Sequence, residues 1–251
     1  MQKGASTTSN TPRCLEVPVG AMFDRIAPTY DLLNHLLSLG RDFAWRRRAA
    51  RVLPEQGALK VADLATGTGD LLIALLRERP NVTETVGLDL SEAMLKIGQD
   101  KITRGGYADR VRLVHDDALR CGLPAGDFDA VTMAFGIRNT PDVEATLREI
   151  RRLLKPGGIA VILEFSLPRG AIMRWCYLVY LRLIVPAIGA LLSGSKGAYR
   201  YLNESIEAFY RPDDFCELMR RTGFSEVSAT PVTWGVASIY AGSKPNGAGD
   251  A

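Results

Sequence analysis

Leu59-Lys60-Val61-Ala62-Asp63-Leu64-Ala65-Thr66-Gly67-Thr68-Gly69-Asp70 is the stretch from which the fold is read. Val61, Leu64 and their neighbours form a short apolar run of the kind a buried parallel strand needs. A loop of small residues follows, and then the helical run Leu71-Leu72-Ile73-Ala74-Leu75-Leu76-Arg77. Strand, glycine loop and helix start bring backbone N–H groups and the positive end of a helix dipole to one point, where a polar ligand is expected. Gly67 and Gly69 let that ligand lie against the main chain with no Cβ between them.

The spacing separates the possible ligands. A dinucleotide fingerprint reads G-x-G-x-x-G or G-x-G-x-x-A, but the position three beyond Gly69 is Leu72, so the pattern is incomplete. An acid stands at the strand end instead: Asp63, four residues before Gly67. A carboxylate pointing into the cradle suits a cationic ligand better than a pyrophosphate. Twenty residues after Gly69, Val86-Gly87-Leu88-Asp89 reads as a second strand ending in an acid, where a ribose diol is gripped. Adenosine ribose plus a positive amino-acid portion points to S-adenosylmethionine. The plainer alternative is a βα turn that holds no ligand.

Outward from this loop a βα rhythm repeats, which predicts a doubly wound, parallel sheet. Ser91 caps a helix that starts at Glu92. Residues 110–118 form the third strand and its polar end, where Asp117 is placed to meet an adenine amino group and Ala118 to offer a backbone N–H. Phe128 to Phe135 is the fourth strand, and Gly136-Ile137-Arg138-Asn139 follows it at the carboxyl edge of the sheet. Thr140 is then expected to cap a helix with Pro141 at its first position. Lys155-Pro156-Gly157-Gly158 ends that helix, and Ile159 to Phe165 is the fifth strand. Pro212-Asp213-Asp214 opens the last helix, and a hairpin of Ser225–Val232 and Trp234–Gly242 finishes the sheet.

The remaining segments frame this domain. Residues 1–18 read as a disordered lead-in. From Val19 to Arg48 the chain reads as helices capping the mouth of the crevice, with Tyr30 placed to close over the ligand and Arg46, Arg47, Arg48 and Arg51 on a solvated face. Residues 166–210 break the rhythm: Ala171 to Leu192 is apolar and aromatic but holds two arginines and a proline. It reads as an apolar lid inserted before the last helix, lining a greasy channel and meeting a membrane surface, rather than a spanning helix. Residues 243–251 read as a tail.

Composition sets the outer bounds. The 251 residues, 47% hydrophobic and 24% charged with net charge +3, suit one large α/β domain and give no case for nucleic acid. The four cysteines are scattered, with no C-x-x-C pair and no neighbouring histidines, which predicts neither a metal site nor a disulfide framework and fits a reducing cytoplasm. Met1 to Gly20 has no apolar core of a cleavable signal.

Asp63, Gly67-Thr68-Gly69, Asp89 and Asp117-Ala118 together resemble a class I S-adenosylmethionine-dependent methyltransferase. Three further stretches resemble the menaquinone/ubiquinone biosynthesis C-methyltransferase family: Met22 to Asn34, Phe135-Gly136-Ile137-Arg138-Asn139 and Tyr199 to Ile206. The similarity spans residues 19–242. It implies a Rossmann-like, mostly parallel seven-stranded sheet with an antiparallel last strand. It also implies methyl transfer to a ring carbon of demethylmenaquinol or of the related polyprenyl-methoxy-benzoquinol. By position, Thr68, Asp89, Asp117 and Ala118 contact the donor, and Arg138 and Asn139 lie at the catalytic centre. At Ala134 many relatives carry Ser, so only a backbone contact is left there. The sequence leaves open whether the chain works alone or as a homodimer. Methylation of another small acceptor, or adenosine binding without catalysis, are the rival readings.

Overall fold

The computed structural model describes residues 19–187 and 196–247. β1 (Leu59–Leu64) is the hub of the sheet, paired in parallel with β2 (Val82–Asp89) on one side and β4 (Phe128–Ala134) on the other. β3 (Val111–His115) extends the sheet beyond β2, and β5 (Leu154–Phe165) beyond β4. β7 (Ala237–Ser243) lies antiparallel between β5 and β6 (Ser225–Val232), so the seven strands stand in the order β3-β2-β1-β4-β5-β7-β6. This is the doubly wound sheet with one reversed strand that the sequence predicts.

Successive side chains of a strand face opposite sides, and the two halves of the core follow that alternation. Ala62, Leu64, Val131 and Met133 pack on one face against α5 (Val143–Leu153) and α8 (Pro212–Arg221). Val61 and Ala130 pack on the other, against Leu71, Leu72 and Leu75 of α3 (Asp70–Glu78) and Trp45 of α2 (Arg41–Ala50). α1 (Val19–Leu37) lies across α4 (Glu92–Arg104) and α2 at the carboxyl edge of the sheet. The apolar insertion forms α6 (Ala171–Val179), which runs on as a π-helical turn to Ile184; α7 (Lys196–Ala208) returns beside it. Tyr177, Leu181, Val185 and Ile206 bury a small core of their own there. No helix among the described residues is long and apolar enough to cross a membrane.

Several local expectations are corrected. Thr140 does not cap α5; its hydroxyl donates to Ile137 O at 2.8 Å, and Asp142 accepts from Ala145 N–H at 2.9 Å in its place. Asp142 has the extended backbone a cap needs. Arg46 is not solvated: it is buried and ion-paired with Asp42 one turn earlier. The presumed tail starts too early, since β7 includes Ser243 and the backbone of Lys244 pairs with Gly157 and Gly158. The lead-in, and Ile188 to Leu192 of the apolar run, lie outside the described residues.

Candidate active site

The chain leaves β1 toward β2 on one side and leaves β4 toward β5 on the other, so a crevice opens above the carboxyl ends of β1 and β4. The first residue after each strand is left-handed without being glycine: Ala65 at φ +49° and Phe135 at φ +56°. Such a backbone is strained and persists where its surroundings hold it, often at functional sites. Here the holding contact is visible. A Cβ on Gly136 stands 2.7 Å from the Cβ of Ala65, so only glycine lets the two loops meet.

One chamber of about 290 Å³ lies above β1 and β2. Phe23 and Tyr30 of α1 roof it, and Gly67, Asp89, Asp117 and Ala118 line it below. Asp89 at the end of β2 accepts from Gly67 N–H at 2.8 Å and from Ser91 N–H at 2.9 Å. Burial raises its pKa against the pull of these donors. Asp117 accepts from Leu119 N–H at 2.8 Å, which fixes the loop that carries Ala118. Gly67 is left-handed, at φ +57°, with nothing near its absent Cβ, so the cradle has open room. A nucleoside with a cationic end fits this donor set.

Asp63 and Thr68 serve the same loop from beneath. Asp63 is 1% exposed and accepts from Thr66 Oγ1 and Thr132 Oγ1, each at 2.6 Å. Burial pushes its pKa up to about 6. Thr68 donates to Asp31 of α1 at 2.6 Å and accepts from Lys101 of α4 at 3.0 Å. Lys101 also reaches Asp31 and Asp70. Gly69 starts α3 in the left-handed conformation, at φ +79°. Ala134 lies at the chamber wall.

Tyr30, Phe135 and Asn139 border a second, narrow chamber of about 50 Å³. Arg138 enters it from below. The guanidinium is 7% exposed, and Nη1 donates to Phe135 O and to Glu164 Oε1, both at 2.6 Å. Its Nε is buried without a partner. Asn139 donates from Nδ2 to the same Phe135 oxygen at 3.2 Å and accepts from Tyr201 OH at 3.2 Å. Burial raises the pKa of Tyr30 while Arg138 and Arg46 pull it back. The second chamber shares Leu37, Phe165 and Leu202 with a third of about 230 Å³, whose walls include Tyr177, Leu181, Val185 and Ile206 of the insertion. The first and third spaces are thus joined through the narrow chamber in whose wall Arg138 and Asn139 stand.

A sequence model of the ubiE/COQ5 methyltransferase family matches residues 9–244. The chain belongs to this family. A demethylmenaquinone methyltransferase of Thermus thermophilus is 47% identical over 89% of the chain and all of the relative. The ubiquinone/menaquinone biosynthesis C-methyltransferase UbiE of Geobacter sulfurreducens is 43% identical, covering 89% of the chain and 87% of the relative. Among solved structures, a possible histamine N-methyltransferase of Thermotoga maritima superposes with a TM-score of 0.62 at 19% identity, over 89% of this chain and 99% of that one. That likeness shows the fold, a Rossmann-like sheet with helices on both faces.

Within this family fold, four contributors receive no role from the sequence, although Asp24, Asp31 and Tyr201 lie in the stretches that carry the resemblance. Glu164 is fully buried beside Arg138, and its pKa is raised by that burial against the pull of the arginine. Its signal was present: one acid inside the apolar run Ile159 to Phe165. Tyr201 reaches Asn139 from a helix distant in sequence. Asp24 and Asp31 lie on α1 seven residues apart, two turns of one helix face, and both point at the donor loops.

Proposed function

We propose that the chain transfers the methyl group of S-adenosylmethionine to a ring carbon of a prenylated quinol, demethylmenaquinol first and the polyprenyl-methoxy-benzoquinol second. The observation that carries this reading is a run of three chambers that share Phe135 at every junction: one edged by Asp89 and Asp117, a narrow one with Arg138 and Asn139 in its wall, and one walled by Tyr177, Leu181 and Val185 of the insertion. Nucleoside, aromatic ring and isoprenoid tail need those three environments in that order. The names of the Thermus and Geobacter relatives support the same acceptor class.

S-adenosylmethionine supplies an electrophilic methyl on a sulfonium. Asp89 grips the ribose, Asp117 and Ala118 hold the base, and Gly67 leaves the backbone open to the amino-acid end, while Gly69 turns the chain into α3 against Gly98 and Ile102 of α4. Asp63 and Thr68 keep that loop in shape. A quinol ring carbon becomes nucleophilic when an adjacent hydroxyl loses its proton, so the site has to favour an oxyanion. Arg138, always cationic, stands in the wall of the narrow chamber and sets its charge against that oxyanion. Asn139 orients the ring, itself fixed by Phe135 O and Tyr201. Tyr30 closes the boundary between donor and acceptor, and the aromatic walls exclude water. The described parts of the insertion, residues 166–187 and 196–210, act as the lid over the tail, and the chain works as a peripheral protein where such tails reside.

The test is a transfer assay with radiolabelled donor and a panel of acceptors: demethylmenaquinol, the methoxy-benzoquinol, catechols and amines. Label on a ring carbon of a quinol is the expected result. Label on oxygen or nitrogen, or none on any quinol, rejects the assignment.

A further inference from the structure

The third chamber opens between two turns that share an unusual property. Leu39, in the turn between α1 and α2, has φ +53°, and Trp234, in the turn between β6 and β7, has φ +55°. Both line the chamber, yet they are 80% and 75% exposed. Glycine or asparagine is the ordinary occupant of such a backbone; a large apolar side chain there costs conformational energy and also exposes apolar area. Each turn is braced in place. Gly40 N–H donates to His35 O at 2.7 Å behind Leu39. Beside Trp234, Trp45 Nε1 donates to Thr233 Oγ1 at 2.8 Å and Ser166 Oγ to Gly235 O at 2.9 Å.

The surroundings indicate what covers this rim. Leu183 and Ile184 project outward from the segment whose Leu181 and Val185 line the chamber, and both are exposed. α2, which follows Leu39, carries Arg41 and Arg48 exposed, with Arg41 on the chamber wall. Apolar side chains with an indole among them, next to arginines, match the boundary of an anionic lipid leaflet.

We propose that the rim is a bilayer-docking face, on which Leu39 and Trp234 insert among the headgroups of an anionic phospholipid leaflet so that the apolar chamber opens into lipid. The proposal rests on the reading of that chamber as the tail site. It explains why two unrelated turns hold strained, exposed, apolar residues at one opening.

The test floats the full chain, without donor or acceptor, on vesicles of phosphatidylcholine with phosphatidylglycerol. The parent is expected to float, and the pair Leu39→Asn with Trp234→Asn to lose partitioning by about tenfold or more. Asparagine tolerates the left-handed backbone, so this variant should melt no lower than the parent. A parent that stays unbound, or a variant that floats equally well, overturns the proposal. A variant that floats like the parent but sediments as a smaller species assigns the rim to a contact between copies, and also overturns it. Because flotation needs no acceptor, a chain that floats through this rim but methylates no quinol leaves the docking face intact and removes only the acceptor assignment.

Discussion

Arg138 Nη1 donates to Glu164 Oε1 at 2.6 Å inside a protein layer that excludes solvent from both. The same nitrogen reaches Phe135 O, so the guanidinium is held by the strand end at which donor and acceptor chambers meet. Arg138→Ala is expected to lower kcat by about 10²–10³, the usual cost of one transition-state donor. Donor affinity, measured by calorimetry, should barely move; a kcat near that of the parent rejects the role.

Glu164→Ala leaves that arginine buried and unpaired. The expected loss is about 3–5 kcal/mol of unfolding free energy, read from urea titrations. Replacing both partners with apolar residues of similar size should cost less than either single truncation predicts, because no lone charge is left behind.

Asp89 concentrates two backbone donors at the ribose position. Asp89→Ala should weaken donor binding by about 10- to 100-fold, the range for bonds to a charged group. Calorimetry with the donor checks this, and equal uptake by the variant rejects S-adenosylmethionine placement in this chamber.

Asp63 carries a pH signature. Its folded pKa of about 6 lies above the ordinary value of 3.8, so the folded state binds the proton more tightly than the unfolded state. Its contribution to stability is therefore full at low pH and is lost as pH rises through the window from about 4 to 6. Asp63→Asn lacks that loss. Relative to the parent, the variant should gain about 2 kcal/mol between pH 4 and pH 7, measured by denaturant unfolding at each pH. A constant difference rejects the shifted pKa.

Leu202 stands at the neck between the ring and tail chambers. Leu202→Trp should lower kcat/KM for a prenylated acceptor about tenfold more than for a tail-free quinol, since one blocked apolar contact is worth about 1–3 kcal/mol. An unchanged ratio places the tail elsewhere.

Gly87 in β2 passes between two leucines. A Cβ there stands 2.7 Å from Leu72 Cδ1 and 2.8 Å from Leu113 Cδ2. Gly87→Ala should cost about 1–3 kcal/mol from overpacking, with a lower melting temperature as the readout.

The sheet was legible because each strand announces itself as a short apolar run closed by small or polar residues, and hydrophobic period is a strong local signal. The cap at Ser91 was legible for the same reason: its hydroxyl accepts from Met94 N–H, three residues on. Thr140 misled because Asp142 offers the same chemistry two residues later, and only backbone geometry chooses between them. Arg46 looked solvated among its neighbours because burial of a charge depends on a partner, and Asp42 belongs equally to any helix pattern. The acid at the end of β1 was visible, but not that two threonine hydroxyls claim it, since Thr132 comes from a strand 69 residues away. A capped crevice and a greasy channel beside the insertion were readable, but not their division into three chambers around Phe135. They arise where α1, the insertion and the β6–β7 turn converge, and no local pattern encodes that meeting.

The roof of the nucleoside chamber has a kinetic corollary. α1 is pinned to the donor loops by Asp24 on Ser91 Oγ, at 2.5 Å, and by Asp31 on Thr68 and Lys101. Every spent nucleoside that departs past this helix has to wait for those carboxylates to let go. Release past this helix is thus expected to depend on a polar clasp, and added salt, which screens such bonds, should hasten it while leaving the greasy half of the cleft untouched.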